Sequence, residues 1–532
     1  MSSDVLLQTI ETLTQDVTQR DVTIKALRLT IEKLKIELTH LRRMRYGRSS
    51  EKMEAAQAQL ELLSAALAPI LPIPVSLDAS TSSNVADLED ERKKRSKKSK
   101  SKAQQGLPAH LPREDVIHSA CSAECKCGAC GTGLQQIGQD VAEVLDYEPG
   151  SFKVIRHIRP KFACIQCHTV TQDPAPSRPI DRCMAGPSLL AHVVVSKYCD
   201  HTRLYRQTQI YARAGVHIER STQCDWVAGC ASLLEPIVRS LRRYVLSAGK
   251  IHTDDTPVPV LSPGRGRTKT ARLWVYVRDD RAWADPSPPA VWYQYSENRK
   301  GENPKRHLDG FTGILQADAY AGYDKLFEDG AVIEAACWAH CRRKFYEVHE
   351  RQGHAPGTLA HQAVLRIGKL YAIEQEVRGH SAERRQQYRS MHAKPLLLQL
   401  HHWLGESLAQ LSAKSTLAGA IGYTLSNWRA LNVYVGDGRV EIDNNTAERA
   451  LRSVVLGRKN YLHFGSDSGG ERAAVLYSLI GTCKLNGIDP YAYLRYVLER
   501  IADHPITSVA ELLPWAVASQ LRTDTQSLPM AA

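Results

Sequence analysis

From Ile10 onward, apolar residues return every seven positions: Ile10, Val17, Ile24, Ile31 and Leu38 form one seam, and Leu13, Leu27, Leu34 and Leu41 form the other. Mostly β-branched residues on the first seam with Leu on the second favour a parallel two-stranded coiled coil, and only Arg20 breaks the second series. A single amphipathic helix folded onto its own chain is the alternative, but about five heptads in strict phase favour self-association. Residues 1–55 are therefore expected to be a leucine-zipper-like coiled coil that makes the chain a homodimer or higher multimer. Residues 56–115 are expected to be a disordered basic linker: after a proline-containing tail, DASTSSNVADLEDERKKRSKKSKSKAQQG is low in apolar residues and full of turn formers. Val144 to Val154 alternate apolar and polar residues like a hairpin, within a small domain at 116–175.

The period becomes helical over 176–247. There LYRQTQIYARAGVHIERSTQCDWVAGCASLL reads as a helix, a turn at Gly215 and a second helix capped by Ser221 or Thr222, a helix-turn-helix shape suited to DNA. Beyond Gly249 it becomes strand-like: KIHTDDTPVPVL, ARLWVYVRDD, AVWYQYS, GILQADAY and AVIEAACW, the first three spaced as antiparallel neighbours. Helical periodicity resumes at about 346–430, inside a unit spanning 248–475, and closes the chain over 476–532.

The linker changes the picture of what the chain meets. Between Glu91 and Lys102 stand eight basic residues against one acid, including Lys93, Lys94, Arg95, Lys97 and Lys98, in a chain of net charge +12. Such a run is either a solvated linker or a non-specific grip on DNA phosphates. A membrane is the weaker polyanionic partner, because the longest apolar run, Leu62 to Leu77, is broken by Pro69, Pro72 and Pro74. The first residues carry an early acid and no basic region of a secretory signal, and the thirteen cysteines include CxxC pairs. Free thiols and metal sites in a cytoplasmic chain are the expectation.

Cys127-Gly-Ala-Cys130 and Cys164-Ile-Gln-Cys167, separated by 33 residues, have the spacing of a zinc ribbon with one structural Zn²⁺. Cys121, Cys125 and His168 lie near enough to compete as ligands. A closed four-sulfur site leaves no position for water, so its role is folding or DNA docking.

Two strand segments carry acids: Asp254 and Asp255 in the first, Asp318 in the fourth. A carboxylate in an apolar strand must be paired, metal-bound or at the strand's end. In EIDNNTAERALR, Asn445 and Glu448 have capping-box spacing, and Ala447, Ala450, Leu451, Val454 and Val455 continue as the apolar stripe of a helix. If that helix packs beside adjacent strands bearing Asp254 and Asp318, Glu448 adds a third hard oxygen donor. Such a set suits two Mg²⁺ or Mn²⁺ ions acting on a phosphodiester. Glu448 can be a cap, a ligand or both; Glu471, with Ser468 at the same capping spacing, is its rival.

The segments IHTDDTPVPVL, LQADAYAGYDKL, CWAHCRRKF, DGRVEIDNNTAERALR and GSDSGGERAAVLYSLIGTCKLNGIDPYAYL, in order after the zipper and CxxC modules, resemble the transposases of insertion-sequence family 66 from about residue 6 to about 500. The resemblance implies a DDE transposase with an RNase H-like α/β catalytic domain at 248–475, catalytic Asp254, Asp318 and Glu448, and the element's terminal repeats and target DNA as partners. It also implies accessory proteins of the same element. The family usually has Asp-Glu before Thr-Pro, where this chain has Asp254-Asp255; adjacent strand residues face opposite ways, so one of the two reaches the metals. Cys337-x-x-His340 resembles a CxxH element that follows the second acid in several transposase families. With His340, the cations Arg342, Arg343, Lys344, Arg449, Arg452, Arg458 and Lys459 are candidate DNA contacts. The overall expectation is a multidomain α+β chain. A DNA-binding regulator with structural acids, and an RNase H-like nuclease without strand transfer, are the competing functions.

Overall fold

A central strand that is antiparallel to one neighbour and parallel to the other organises the chain around the acids. The computed structural model describes residues 107, 111–118, 134–148, 150–164 and 170–521, which belong to one unit, Ala103–Ala532. The expected coiled coil, the basic linker with Lys93, Lys94, Arg95, Lys97 and Lys98, and the ligand candidates Cys127, Cys130 and Cys167 lie outside the described residues.

The first sheet is built on a hairpin of β2 (Leu134–Glu148) and β3 (Ser151–Cys164). β1 (Arg113–Ile117) runs parallel to β3, and β4 (Val170–Gln172) runs antiparallel to it. Gly150, at φ +95°, sits at the turn, where a side chain would be strained. In this register Leu134, four positions after Cys130, pairs with Cys164. Three helices follow: α1 (Pro187–Tyr198), α2 (Leu204–Arg213) and α3 (Arg220–Leu246). Gly215 does sit in the α2–α3 turn with φ +76°. The N-cap of α3, however, is Glu219 without a side-chain bond, and not Ser221 or Thr222. Trp226, Val227, Cys230, Leu234, Ile237, Leu241 and Val245 bury one face of this long helix in the main core.

The second sheet contains β5 (Lys250–Val260), β6 (Lys269–Arg278), β7 (Ala290–Ser296), β8 (Gly313–Gln316) and β9 (Val332–Ala335) in the order β7-β6-β5-β8-β9. β5, β6 and β7 form an antiparallel meander whose aromatic and β-branched run, Trp274 to Val277, is fully buried. β5 also pairs in parallel with β8, and β8 with β9. The parallel pairing covers only Lys250–His252 of β5, so its later half, with Pro257 and Pro259, has β6 alone as a strand partner. Prolines are tolerated there because that side of the ladder carries no strand.

Two short helices, α4 (Glu302–His307) and α5 (Asp324–Phe327), lie in the connections. Between β9 and the site helix runs a helical body: α6 (Trp338–Arg351), α7 (Leu359–Val377), α8 (Ala382–Ala409), α9 (Thr416–Ser426) and α10 (Trp428–Gly436). Its apolar stripes close a core of their own around Trp338, Phe345, Ile367, Leu400 and Leu431. Within it Arg389, fully buried, holds Glu374 through Nε and Nη2, both at 2.7 Å, and Arg385 Nη2 reaches Glu441 at 3.1 Å. Replacing Arg389 by Leu strands the Glu374 carboxylate with Arg385 at 3.6 Å. The variant is expected to lose roughly 3 kcal/mol, read as a lowered first transition in thermal unfolding.

The last helices are α11 (Asn445–Tyr461), α12 (Asp467–Leu485) and α13 (Pro490–Arg500). α12 seals the edge of β7: Val291 N donates to Thr482 Oγ1 at 3.1 Å and Tyr293 N to Ser478 Oγ at 2.8 Å. Gly470 and Gly481 allow this approach, since a Cβ at either would press on Tyr295 or Val291. Among the described residues no helix is long and apolar enough to cross a membrane.

Candidate active site

The register sets the site. His252 pairs with Gln316, and two residues further along the parallel strands β5 and β8 bring Asp254 level with Asp318, just past the end of β8. Ala319, at φ +59°, turns the chain away immediately afterwards. Gln316 is the last ladder residue of β8, and its side chain reaches beyond the sheet: Nε2 donates to Glu441 O at 2.6 Å and Asp443 O at 3.1 Å, which ties the segment before α11 to the strand end. Asn444 completes the attachment. Its Nδ2 donates to Thr253 O at 2.8 Å, and its Oδ1 accepts from His252 Nδ1 at 3.0 Å. Burial, then the neighbouring Lys250, pushes the His252 imidazole down to about 3, so it is neutral and donates through Nδ1 while Lys250 Nζ donates to Nε2 at 3.2 Å.

These bonds fix the start of α11 over β5 and put Glu448 beside the aspartates. The expected capping box does not form. The N-cap is Asn444, without a side-chain cap bond, and Glu448 is the fourth helical residue. Likewise Ser466, not Ser468, caps α12, accepting from Gly469 N, so the capping-box reading of Glu471 also fails.

Asp254, Asp318 and Glu448 are brought together. Burial pushes the Asp254 carboxyl up to about 7, with the charge of Asp318 the next cause and those of Asp255 and Glu448 adding to it. Glu471 is instead felt at Tyr295. Glu448 Oε1 is buried without a hydrogen bond; His340 Nε2 stands 3.6 Å away and Arg343 Nη2 3.8 Å away. Burial lowers the proton affinity of His340 against the pull of Glu448. Tyr423 Oη donates to the Asp318 backbone oxygen at 3.2 Å.

Asp255 faces the opposite way, as strand alternation requires. Its side chain is 2% exposed and held by Arg272 and Arg299, each at 2.9 Å.

Among the described residues no three His, Cys, Asp or Glu side chains converge closely enough to form a ready metal cage. Glu448 has His340 and Arg343 beside it at 3.6 and 3.8 Å, and Asp318 has Arg299 at 3.9 Å. The donor set nevertheless fits a hard divalent cation: carboxylate oxygens, one of them buried and unbonded, beside a carboxyl that burial and neighbouring charge keep partly protonated.

Arg343 and Arg299 stand beside the acids, whereas Arg449 lines a cleft with Asp279, Arg281 and Glu441. Arg343, Lys344, Arg449, Arg452 and Lys459 are exposed, and Arg342 and Arg458 are half-buried. Lys344 lies over the Tyr423 ring at 4.4 Å, and Arg458 donates to Pro257 O on β5. Cys337, buried, accepts from Asn444 N at 3.2 Å and so helps to seat α11. Sequence reasoning missed Arg299, Tyr320, His252 and Asn444. Asn444 lay inside the quoted motif, whereas no spacing signalled Arg299.

The fold and the carboxylates define a mixed α/β protein with acids in β5, just past the end of β8 and on α11, beside Arg299 and Arg343. The chain belongs to the IS66 transposase family: the description "Transposase IS66 family" matches residues 182–472, which contain all three acids. "IS66 C-terminal element" matches 478–515, "zinc-finger binding domain of transposase IS66" 124–168, and "Transposase C of IS166 homeodomain" 33–116. The uncharacterized protein y4jD of Sinorhizobium fredii is 39% identical over 521 residues, covering 95% of this chain and 97% of its own length. The uncharacterized protein y4hP of the same organism is 38% identical over 505 residues, covering 92% and 88%. The chain thus carries the transposase and zinc-finger modules of an insertion-sequence transposase.

Proposed function

We propose that the protein is a DDE transposase that cuts the ends of its own element and joins them to target DNA, with Asp254, Asp318 and Glu448 as the catalytic acids. The observation that carries this reading is the placement of three carboxylates from β5, the end of β8 and the first turns of α11, with Asp254 titrating near 7. The sheet order, with an antiparallel meander on one side of β5 and two parallel strands on the other, supports an RNase H-like catalytic domain.

The three acids would hold two Mg²⁺ or Mn²⁺ ions, which supply activation of the attacking oxygen and stabilisation of the leaving oxygen. A water oxygen attacks phosphorus at the element's end; the bond to the 3′ oxygen breaks, leaving a 3′-hydroxyl and a 5′-phosphate. That hydroxyl then attacks a target phosphodiester, so one P–O bond forms as another breaks and no cofactor is consumed. The exposed Arg343, Lys344, Arg449, Arg452 and Lys459 hold backbone phosphates, and Arg458, anchored on β5, adds a fixed charge. Asp254, raised to about 7, is partly protonated at neutral pH and would give up that proton where its oxygens serve as ligands.

Cys127, Cys130, Cys164 and Cys167 bind one structural Zn²⁺, in line with the zinc-finger match over 124–168. The helical and basic modules dock the terminal repeats, and the coiled coil pairs two ends in a multimer, with accessory proteins of the element completing the assembly in the cytoplasm. The test is incubation of the purified chain with labelled DNA bearing its own element's ends. Nicking at the terminus that requires Mg²⁺ or Mn²⁺ is expected. End-specific binding without nicking in either metal would move the reading to a regulator, and cutting without any joined product would move it to a nuclease.

A further inference from the structure

Asp255 is the unexplained acid of the site. Both its oxygens are occupied: Arg272 Nη1 donates to Oδ2, and Arg299 Nε donates to Oδ1, each at 2.9 Å. This uses one edge of the Arg299 guanidinium. One face of the same group stacks on Tyr320, 3.8 Å from the ring centroid, and Tyr320 Oη donates to the Arg299 backbone oxygen. Gly301 and Gly322 press these two loops together, since a Cβ on Gly301 would stand 2.6 Å from Gly322 O. Arg299 is therefore held at one edge and one face. Its Nη1 has no hydrogen-bond partner among the described residues, the side chain is 36% exposed, and Nη2 lies 3.9 Å from Asp318 Oδ2. A planar cation with a free edge, pinned beside a catalytic acid, has the geometry for a phosphate oxygen.

We propose that Arg299 binds a DNA phosphate next to the scissile one, and that Asp255 is a positioning residue that aims it. The alternation of β5 makes the pair a two-sided device: Asp254 faces the reacting phosphate from one side of the strand, while Asp255, buried on the other, aims the cation at its neighbour. Arg272 holds the Asp255 carboxylate in place and does not itself touch DNA. The proposal rests on the reading that this site handles DNA, but it is tested by binding, so it can fail while cleavage stands.

The experiment measures the affinity of the full chain for element-end DNA in which single phosphates flanking the cut are replaced, one at a time, by neutral methylphosphonate. Wild type is expected to lose about tenfold at one flanking phosphate. Arg299→Gln should lose about as much on natural DNA and nothing further at that phosphate, the signature of a coupled pair. Asp255→Asn should show the same loss of coupling although it never reaches DNA. Because removing Arg299 leaves Asp255 with Arg272 alone, Arg299→Lys is run beside it; keeping the charge, it should recover part of the affinity at an unchanged melting temperature. A wild-type protein indifferent to every methylphosphonate, or an Arg299→Gln protein with the wild-type interference pattern, overturns the proposal. Wild-type cleavage of natural ends, followed in parallel, reports on the catalytic reading separately.

Discussion

Glu448→Gln is expected to lower end cleavage on the order of 10³-fold or more, while affinity for end DNA stays within about twofold of wild type. The substitution keeps the shape and removes only the charge. It breaks no hydrogen bond, because Glu448 Oε1 makes none, and its nearest cations stand at 3.6 and 3.8 Å. Glu448 is also not the helix cap, so α11 does not depend on it. The fold should therefore survive, and with it the basic surface proposed to hold DNA. What goes is a hard anionic donor beside Asp254, which an amide oxygen replaces poorly for a divalent cation. Cleavage kinetics in Mg²⁺ and a binding titration on the same DNA decide it. A variant that cuts within tenfold of wild type sinks the role of Glu448, and Glu471→Gln would then be the substitution to make.

What the sequence showed of this molecule was its local periodicity. The strands of the central meander follow from β-branched and aromatic runs such as Leu273 to Val277, and the helices from Trp338 to Gly436 follow from their apolar stripes. What it hid were partners far apart in the chain. Asn445 and Glu448 have capping spacing, yet Asn444 takes the N-cap position and directs its side chain to His252 and Thr253, nearly two hundred positions away. The cap of α3 was misplaced for a related reason: burial of Trp226, Val227 and Cys230 sets the helix's phase, and it begins at Arg220 without a side-chain bond. Strand alternation correctly separated Asp254 from Asp255. It could not name the occupant of the second face, because Arg299 lies in a loop after β7 that no pattern marks.

Asp254→Asn should make the protein more stable at pH 8 even as it removes one of the proposed catalytic acids. In the unfolded chain this carboxyl titrates near the ordinary aspartate value of 3.8, whereas in the folded protein burial and the charge of Asp318 raise it to about 7. The folded state thus holds a proton that the unfolded state has released. The stability from that proton is full below about pH 4 and is lost as pH rises toward 7, leaving a penalty of up to about 4 kcal/mol at pH 8. A neutral amide escapes the penalty. Without divalent metal, the variant's advantage in thermal unfolding should grow by roughly 2 kcal/mol between pH 5.5 and 8. Adding Mg²⁺ at pH 8 should close much of the gap by raising the wild type more than the variant, which keeps Asp318 and Glu448 but lacks the Asp254 charge. An advantage that shrinks with rising pH, or equal Mg²⁺ stabilisation of both proteins, would refute the assignment. The expected pattern would mean that the fold tolerates a repulsive cluster of carboxylates because a bound cation restores the balance, as stability is commonly given up at sites that must act.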